Sequence, residues 1–228
     1  MAYGNTLKLL DLSGKPLSYI QQEKRIRSLA IAPDGNSLML GIFGEAVHLD
    51  MAGETLNTFP HTSFVSAVDY APDGQTLLSV SLDNQAKLWD TKGNLLQEIE
   101  YNFGNTNTSF SPDGQQLIIG SRAGEARSWN LNGKPKTSFE HEKAIRSVDF
   151  SMNGDLVLTS SDDQTVKLWK NSGGEEATLT LPNSIRSIGF SPDSLSFFVN
   201  TIGALIFYDL TGKQAQIIRH NGSMNSVA

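Results

Sequence analysis

A forty-residue period runs along this 228-residue chain and constrains its fold more than any other feature. Turn signals recur at Pro33-Asp34-Gly35, Pro72-Asp73-Gly74, Pro112-Asp113-Gly114, Met152-Asn153-Gly154 and Pro192-Asp193-Ser194, at intervals of 39, 40, 40 and 40 residues. Pairs made of a large apolar residue and a polar one keep the same beat: Leu10-Asp11, Leu49-Asp50, Trp89-Asp90, Trp129-Asn130, Trp169-Lys170 and Tyr208-Asp209. Self-similarity at this spacing marks an array of supersecondary units.

Within each period lie four short runs separated by turn chemistry. In the second copy they are Val65 to Tyr70, Thr76 to Ser81, Gln85 to Trp89 and Asn94 to Glu100. Proline presets φ for the first turn and glycine accepts a positive φ there. The runs are rich in Val, Leu, Ile, Ser and Thr and are too short for helices, so they read as antiparallel strands joined by tight turns. The second strand of a period holds consecutive apolar residues, as in Leu117-Ile118-Ile119 and Leu156-Val157-Leu158, whereas the fourth is more polar, as in Gln97-Glu98-Ile99-Glu100. A unit with two apolar faces must be covered by its neighbours. The expected architecture is all-β: a β-propeller of four-stranded antiparallel blades about a central channel.

The repeats SFSPDGQQL, QAKLWD and TVKLW resemble those of the WD-repeat β-propeller family in their prokaryotic style. Repeats of that family run to about 40–45 residues and close on Trp-Asp. The resemblance covers essentially the whole chain. It implies a single repeat domain over 1–228, with complete blades at about 25–60, 61–100, 101–140, 141–180 and 181–219. An incomplete sixth blade is split between 1–24 and 220–228: Gly4 stands six residues before Leu10, ahead of a third strand, and HNGSMNSVA aligns with HEKAIRSVD of a first strand. The second strand of that blade is missing. The chain is therefore expected to be a fragment of a longer array, or to be completed by a second copy or a partner through open blade edges, which invite self-association.

Composition narrows function. No apolar run approaches the roughly 18–20 residues a spanning helix needs. The N-terminus lacks the basic and long apolar segments of a secretory signal, so a cytoplasmic protein with no membrane association is expected. Cysteine is absent, which removes disulfides, thiolate metal sites and thiol nucleophiles. A net charge of −6 argues against nucleic acid as a partner. Four histidines in four separate repeats form no chelating cluster, no phosphate-binding loop is present, and the repeated Asp-Gly turns need no ion, so neither a metal nor another cofactor is expected.

The second copy contains His61, Ser79 and Asp83, and the fourth His141, Thr159 and Asp163; these are the residue types of a hydrolytic triad. The family resemblance implies another role. His, Ser or Thr, the turn Asp and the closing Trp form a hydrogen-bonded structural tetrad, here with Trp89 and Trp169. Two copies of a would-be nucleophile, neither in a nucleophile-elbow motif, fit that role better than catalysis, and no catalytic residue is assigned. Other repeats depart from the pattern, with Gln22, Tyr101 and Leu181 at the His position and Phe43, Ala123 and Ile202 at the Asp position. His220 lacks an Asp counterpart, having Gly4 there, and His48 reads as a packed or surface residue of a third strand.

The resemblance also implies that partners bind the top face, where three positions per blade project. These positions include Arg25, Arg27 and Ile42, then Phe64, Ser66 and Leu82, then Arg122, Arg146 and Asp162, and Arg186. Five of the seven arginines of an acidic chain fall in this set. Arg pairs bidentately with carboxylates and is enriched at interface hot spots. The leading expectation is a non-catalytic interaction scaffold that docks an acidic peptide or protein domain. A sensor or regulatory region of a larger signalling protein, and an enzyme with its site in the channel, are the competing classes.

Overall fold

The computed structural model describes residues 2–11, 13–101 and 104–220, and among these every regular element is a strand. The chain forms two compact units, Met1–Asn102 and Phe103–Ala228. The strands of the first are β1 (Ala2–Tyr3), β2 (Thr6–Leu10), β3 (Pro16–Gln21), β4 (Ser28–Ile31), β5 (Ser37–Gly41), β6 (Phe43–Asp50), β7 (Thr55–Tyr70), β8 (Thr76–Ser81), β9 (Gln85–Asp90) and β10 (Leu95–Glu100). Those of the second are β11 (Asn105–Phe110), β12 (Gln116–Ser121), β13 (Glu125–Asn130), β14 (Pro135–Glu140), β15 (Ile145–Phe150), β16 (Leu156–Ser161), β17 (Thr165–Lys170), β18 (Glu175–Thr180), β19 (Ile185–Phe190), β20 (Ser196–Thr201), β21 (Ala204–Asp209) and β22 (Gln214–Arg219).

In the second unit the strands form three four-stranded antiparallel sheets, β11 to β14, β15 to β18 and β19 to β22, each in simple sequence order. These are the blades the period predicts, and the fold is all-β and propeller-like. Their second strands are buried on both faces, and their fourth strands are mostly exposed. The cores lie between sheets. Ile118, Phe139, Ile145, Val157 and Trp169 fill the space between the first two blades of this unit, and Leu158, Leu168, Ile185, Phe197 and Tyr208 the next. Each buried Leu, Ile or Phe contributes about 1.5–3 kcal/mol relative to exposure, so a blade depends on its neighbours for most of its stability.

The first unit follows the same plan with two departures. A three-stranded sheet β1-β2-β3 packs Leu7, Leu9 and Ile20 against Leu38, Leu40 and Leu49 of the next blade. Its β1, a two-residue strand pairing Ala2 with Leu7 and Tyr3 with Thr6, lies ahead of the point where the repeat alignment places the first element. The segment 221–228, expected to supply a first strand, lies outside the described residues. The second departure is β7. The fourth strand of one blade runs without a break into the first strand of the next, giving a seven-stranded sheet β10-β9-β8-β7-β6-β5-β4. Phe43 stands here where blades two and four have the turn Asp, and it makes a contact that Ala123, at the same position in blade three, cannot make. It pairs in register with Phe64, their rings meet edge to face at 4.8 Å, and the Val65 N–H donates to the Ile42 carbonyl at 3.0 Å. Strand pairing thus replaces the loop that separates these strands elsewhere.

The repeated turns close as their chemistry requires. Asp73 Oδ1 accepts the Gln75 N–H at 2.8 Å, and Asp113, Asp34 and Asp193 do the same for the second residue beyond them. The acid after the closing residue caps the next hairpin: Asp90 Oδ1 accepts the N–H groups of Lys92 at 2.9 Å and Asn94 at 2.8 Å. Asp11, Asp50 and Asp209 repeat this bond pair.

Candidate functional site

The sites are built from the same strands. In the second blade β8 carries Ser79, β9 carries Trp89, the turn between them Asp83, and the middle of β7 His61. His61 Nδ1 donates to Asp83 Oδ2 at 3.0 Å, which leaves Nε2 to accept the Ser79 hydroxyl at 2.7 Å. The same oxygen accepts the Trp89 Nε1–H at 2.8 Å, and the Thr62 backbone N–H donates to Asp83 at 2.9 Å. The fourth blade repeats the set: His141 lies 3.0 Å from Asp163 and 2.7 Å from Thr159, and Trp169 donates to Thr159 at 2.8 Å. Thr165 adds a bond to Asp163 at 2.6 Å.

Ser79 is 0% exposed and Thr159 is equally buried, so no substrate carbonyl reaches either hydroxyl. Burial lowers the pKa of His61 and of His141, against the pull of Asp83 and Asp163, and favours neutral rings. Burial works against charge on Asp163 too, but bonds from Thr165, the His141 ring and the Glu142 N–H hold its carboxyl down at about 2. A neutral imidazole between a carboxylate and a hydroxyl satisfies every polar atom in the set, including the indole N–H. We read both sets as packing devices.

The partner-face residues divide between the units. In the first, Arg25 and Arg27 are exposed just ahead of β4. The Arg27 guanidinium lies over the Phe64 ring at 4.5 Å, and Phe43, 47% exposed, meets that ring edge to face. Leu82 is exposed and tied to Phe64 by an N–H to carbonyl bond of 2.9 Å. Arg27, Phe43, Phe64 and Leu82 are thus in one patch. Phe43 was not among the residues expected there; its signal in the sequence was an aromatic residue at the turn-Asp position. Ile42, grouped with the face by its repeat position, is 3% exposed and belongs to the core.

In the second unit Arg146 and Arg186 each occupy a register shift of a first strand, between Ile145 and Ser147 and between Ile185 and Ser187. A bulge of this kind turns a side chain away from the regular alternation, and both arginines are exposed. Arg146 is engaged: its Nε and Nη2 donate to the two carboxylate oxygens of Asp162, each at 2.6 Å. Arg122 and Arg186 are exposed and form no ion pair among the described residues.

Comparison with known proteins bears on this arrangement. The sequence model of the family described as WD domain, G-beta repeat, matches residues 53–90 and 133–170, the two stretches that end on Trp89 and Trp169 and enclose both tetrads. These two stretches are WD repeats. The chain is 34% identical over 112 residues to the uncharacterized WD repeat-containing protein sll1491 of Synechocystis sp., a match over 46% of this chain and 32% of that protein. It thus aligns with about a third of its relative's length. WD repeats generally form protein-interaction scaffolds, and the proteins built from them are typically non-enzymatic. Among the described residues no helix is long and apolar enough to cross a membrane, and no group of three or more acidic or His side chains is placed to hold a metal.

Proposed function

We propose that this WD-repeat chain is a non-catalytic scaffold that docks an acidic peptide or protein segment on its exposed arginines. The observation that carries the reading is the Arg27–Phe64–Phe43–Leu82 patch, in which a guanidinium lies over the half-buried Phe64 ring, itself in contact with the exposed Phe43, beside an exposed leucine. Arg anchored on an aromatic face keeps its outward N–H groups for a carboxylate and loses little freedom on binding. The apolar surface around it suits a ligand that carries an aliphatic or aromatic side chain next to its acids. Of the partner-face arginines of the second unit, Arg122 and Arg186 remain for a ligand, since Asp162 already pairs with Arg146.

A labelled peptide of alternating Glu and Leu, followed by fluorescence anisotropy, tests the reading against its Gln-for-Glu counterpart. Arg27→Glu and Arg186→Glu are each expected to weaken binding by about tenfold, and rising salt to weaken it further, with the melting temperature nearly unchanged. Arg146→Glu is expected to matter less, because the parent guanidinium is already paired. Equal capture of the Gln peptide would overturn the reading.

A further inference from the structure

The second unit contains a depression of about 360 Å³ that has no part in the arginine sites or the tetrads. It lies where the first strands of three successive blades, β11, β15 and β19, run side by side. The residues that line it sit at equivalent repeat positions: Asn107, Ser147 and Ser187 in one row, Ser109, Asp149 and Gly189 in the next. Five of the six are small, and Asp149 is the one ionisable side chain on the wall. The volume falls in the range of small-molecule sites.

Two side chains clip neighbouring first strands together here. Asn107 Oδ1 accepts the Val148 N–H at 3.2 Å, and Asp149 Oδ2 accepts the Phe190 N–H at 3.0 Å. An amide therefore suffices for a clip of this kind, and a carboxylate at 149 adds a charge that the clip does not require. No Lys, Arg or His lines the depression to neutralise it. The apolar part of the wall comes from Val148, Ile188, Phe190 and Phe198, Phe190 also packing edge to face on Phe197. A side chain at position 189 would exclude the Phe198 ring, because a Cβ there would stand 2.6 Å from its Cε1.

We propose that this depression binds a small organic amine, its ammonium group on the Asp149 carboxylate and its carbon skeleton against Phe190 and Phe198. The uncompensated carboxylate, the hydroxyl and amide groups around it and the two rings supply respectively the charge, the remaining N–H acceptors and the cation–π and apolar contacts that such a ligand uses. Burial pushes the Asp149 carboxyl up to about 6, against the N–H bonds of Phe190 and Phe150, and a bound cation would restore its ionisation. The side chains facing it from β11 and β19 are Asn, Ser and Gly and do not titrate, so the pH dependence of binding belongs to Asp149. The inference is independent of peptide docking.

Benzylammonium serves as the probe and benzyl alcohol as its neutral counterpart, titrated calorimetrically against the intact chain. The ammonium is expected to bind at pH 7.5, at least tenfold more tightly than the alcohol, and to weaken severalfold at pH 5. Asp149→Asn retains a clip acceptor, as Asn107 does, and is expected to melt no lower than the parent chain while losing the probe. A shift of the Phe190 amide resonance on binding, absent in Asp149→Asn, locates the site even if heats are small. Failure of the ammonium to bind, equal binding of the alcohol, or binding unchanged in Asp149→Asn would each overturn the proposal.

Discussion

Ser79 shows how far a residue's type is from its role. Its hydroxyl lies 2.7 Å from a histidine that is itself bonded to an aspartate, yet it is fully buried and already accepts the Trp89 N–H. Ser79→Ala strands both the indole N–H and His61 Nε2, and is expected to lower unfolding free energy by about 1–3 kcal/mol. Trp89→Ala removes a ring packed at 5.1 Å on Phe59 and is expected to cost about 3–5 kcal/mol. Urea titrations measure both, and a Ser79→Ala curve superimposed on the parent's would show that the hydrogen bonds contribute nothing.

Among the elements, the hairpin after the closing residue gives the sharpest comparison. Asp90 accepts two N–H groups of its hairpin, but Lys170 at the same repeat position has no oxygen to offer and instead pairs with Glu176 at the surface. That exposed pair is worth little, whereas each hairpin bond to a carboxylate contributes more. Lys170→Asp is therefore expected to raise stability by about 1 kcal/mol, read as a higher denaturation midpoint at unchanged slope. Phe43 differs from Ala123 at the same repeat position: its ring packs on Phe64 and strand pairing continues there, whereas after Ala123 β14 and β15 stay separate.

For the whole molecule, pH is the variable that sums over the repeats. His48 is 4% exposed between Phe59 and Tyr70, neither ring nitrogen has a hydrogen-bond partner among the described residues, and burial lowers its pKa. With His61 and His141 lowered as well, the unfolded chain binds protons first on acidification. Their contribution is complete above about pH 6.5 and is lost as pH falls from there through the lower folded-state values. Asp149 runs the other way: its raised pKa costs stability above about 6, a cost relieved on acidification. With that opposing group removed in Asp149→Asn, the melting temperature is expected to be flat above pH 6.5 and to fall below it. His48→Leu removes one of these protons and an unsatisfied ring, so it is expected to flatten the acid limb by up to about 1.4 kcal/mol per pH unit and to raise stability at neutral pH. An acid limb of unaltered slope in His48→Leu would show that His48 titrates alike in both states.

Sequence alone determined the period, the four strands per blade, the turns, and the grouping of His61, Ser79, Asp83 and Trp89 with their fourth-blade counterparts. All of these depend on local turn chemistry and on spacings repeated along the chain, so copies of the repeat could be read against one another. Tertiary structure decided what each position faces. It put Ile42 in the core, joined Phe43 to Phe64 and Arg27, tied Arg146 to Asp162, and set Asp149 in a depression with no cation beside it. The repeat makes positions equivalent along the chain, but a side chain's surroundings come from the neighbouring strands and the next blade, where the residues differ from copy to copy.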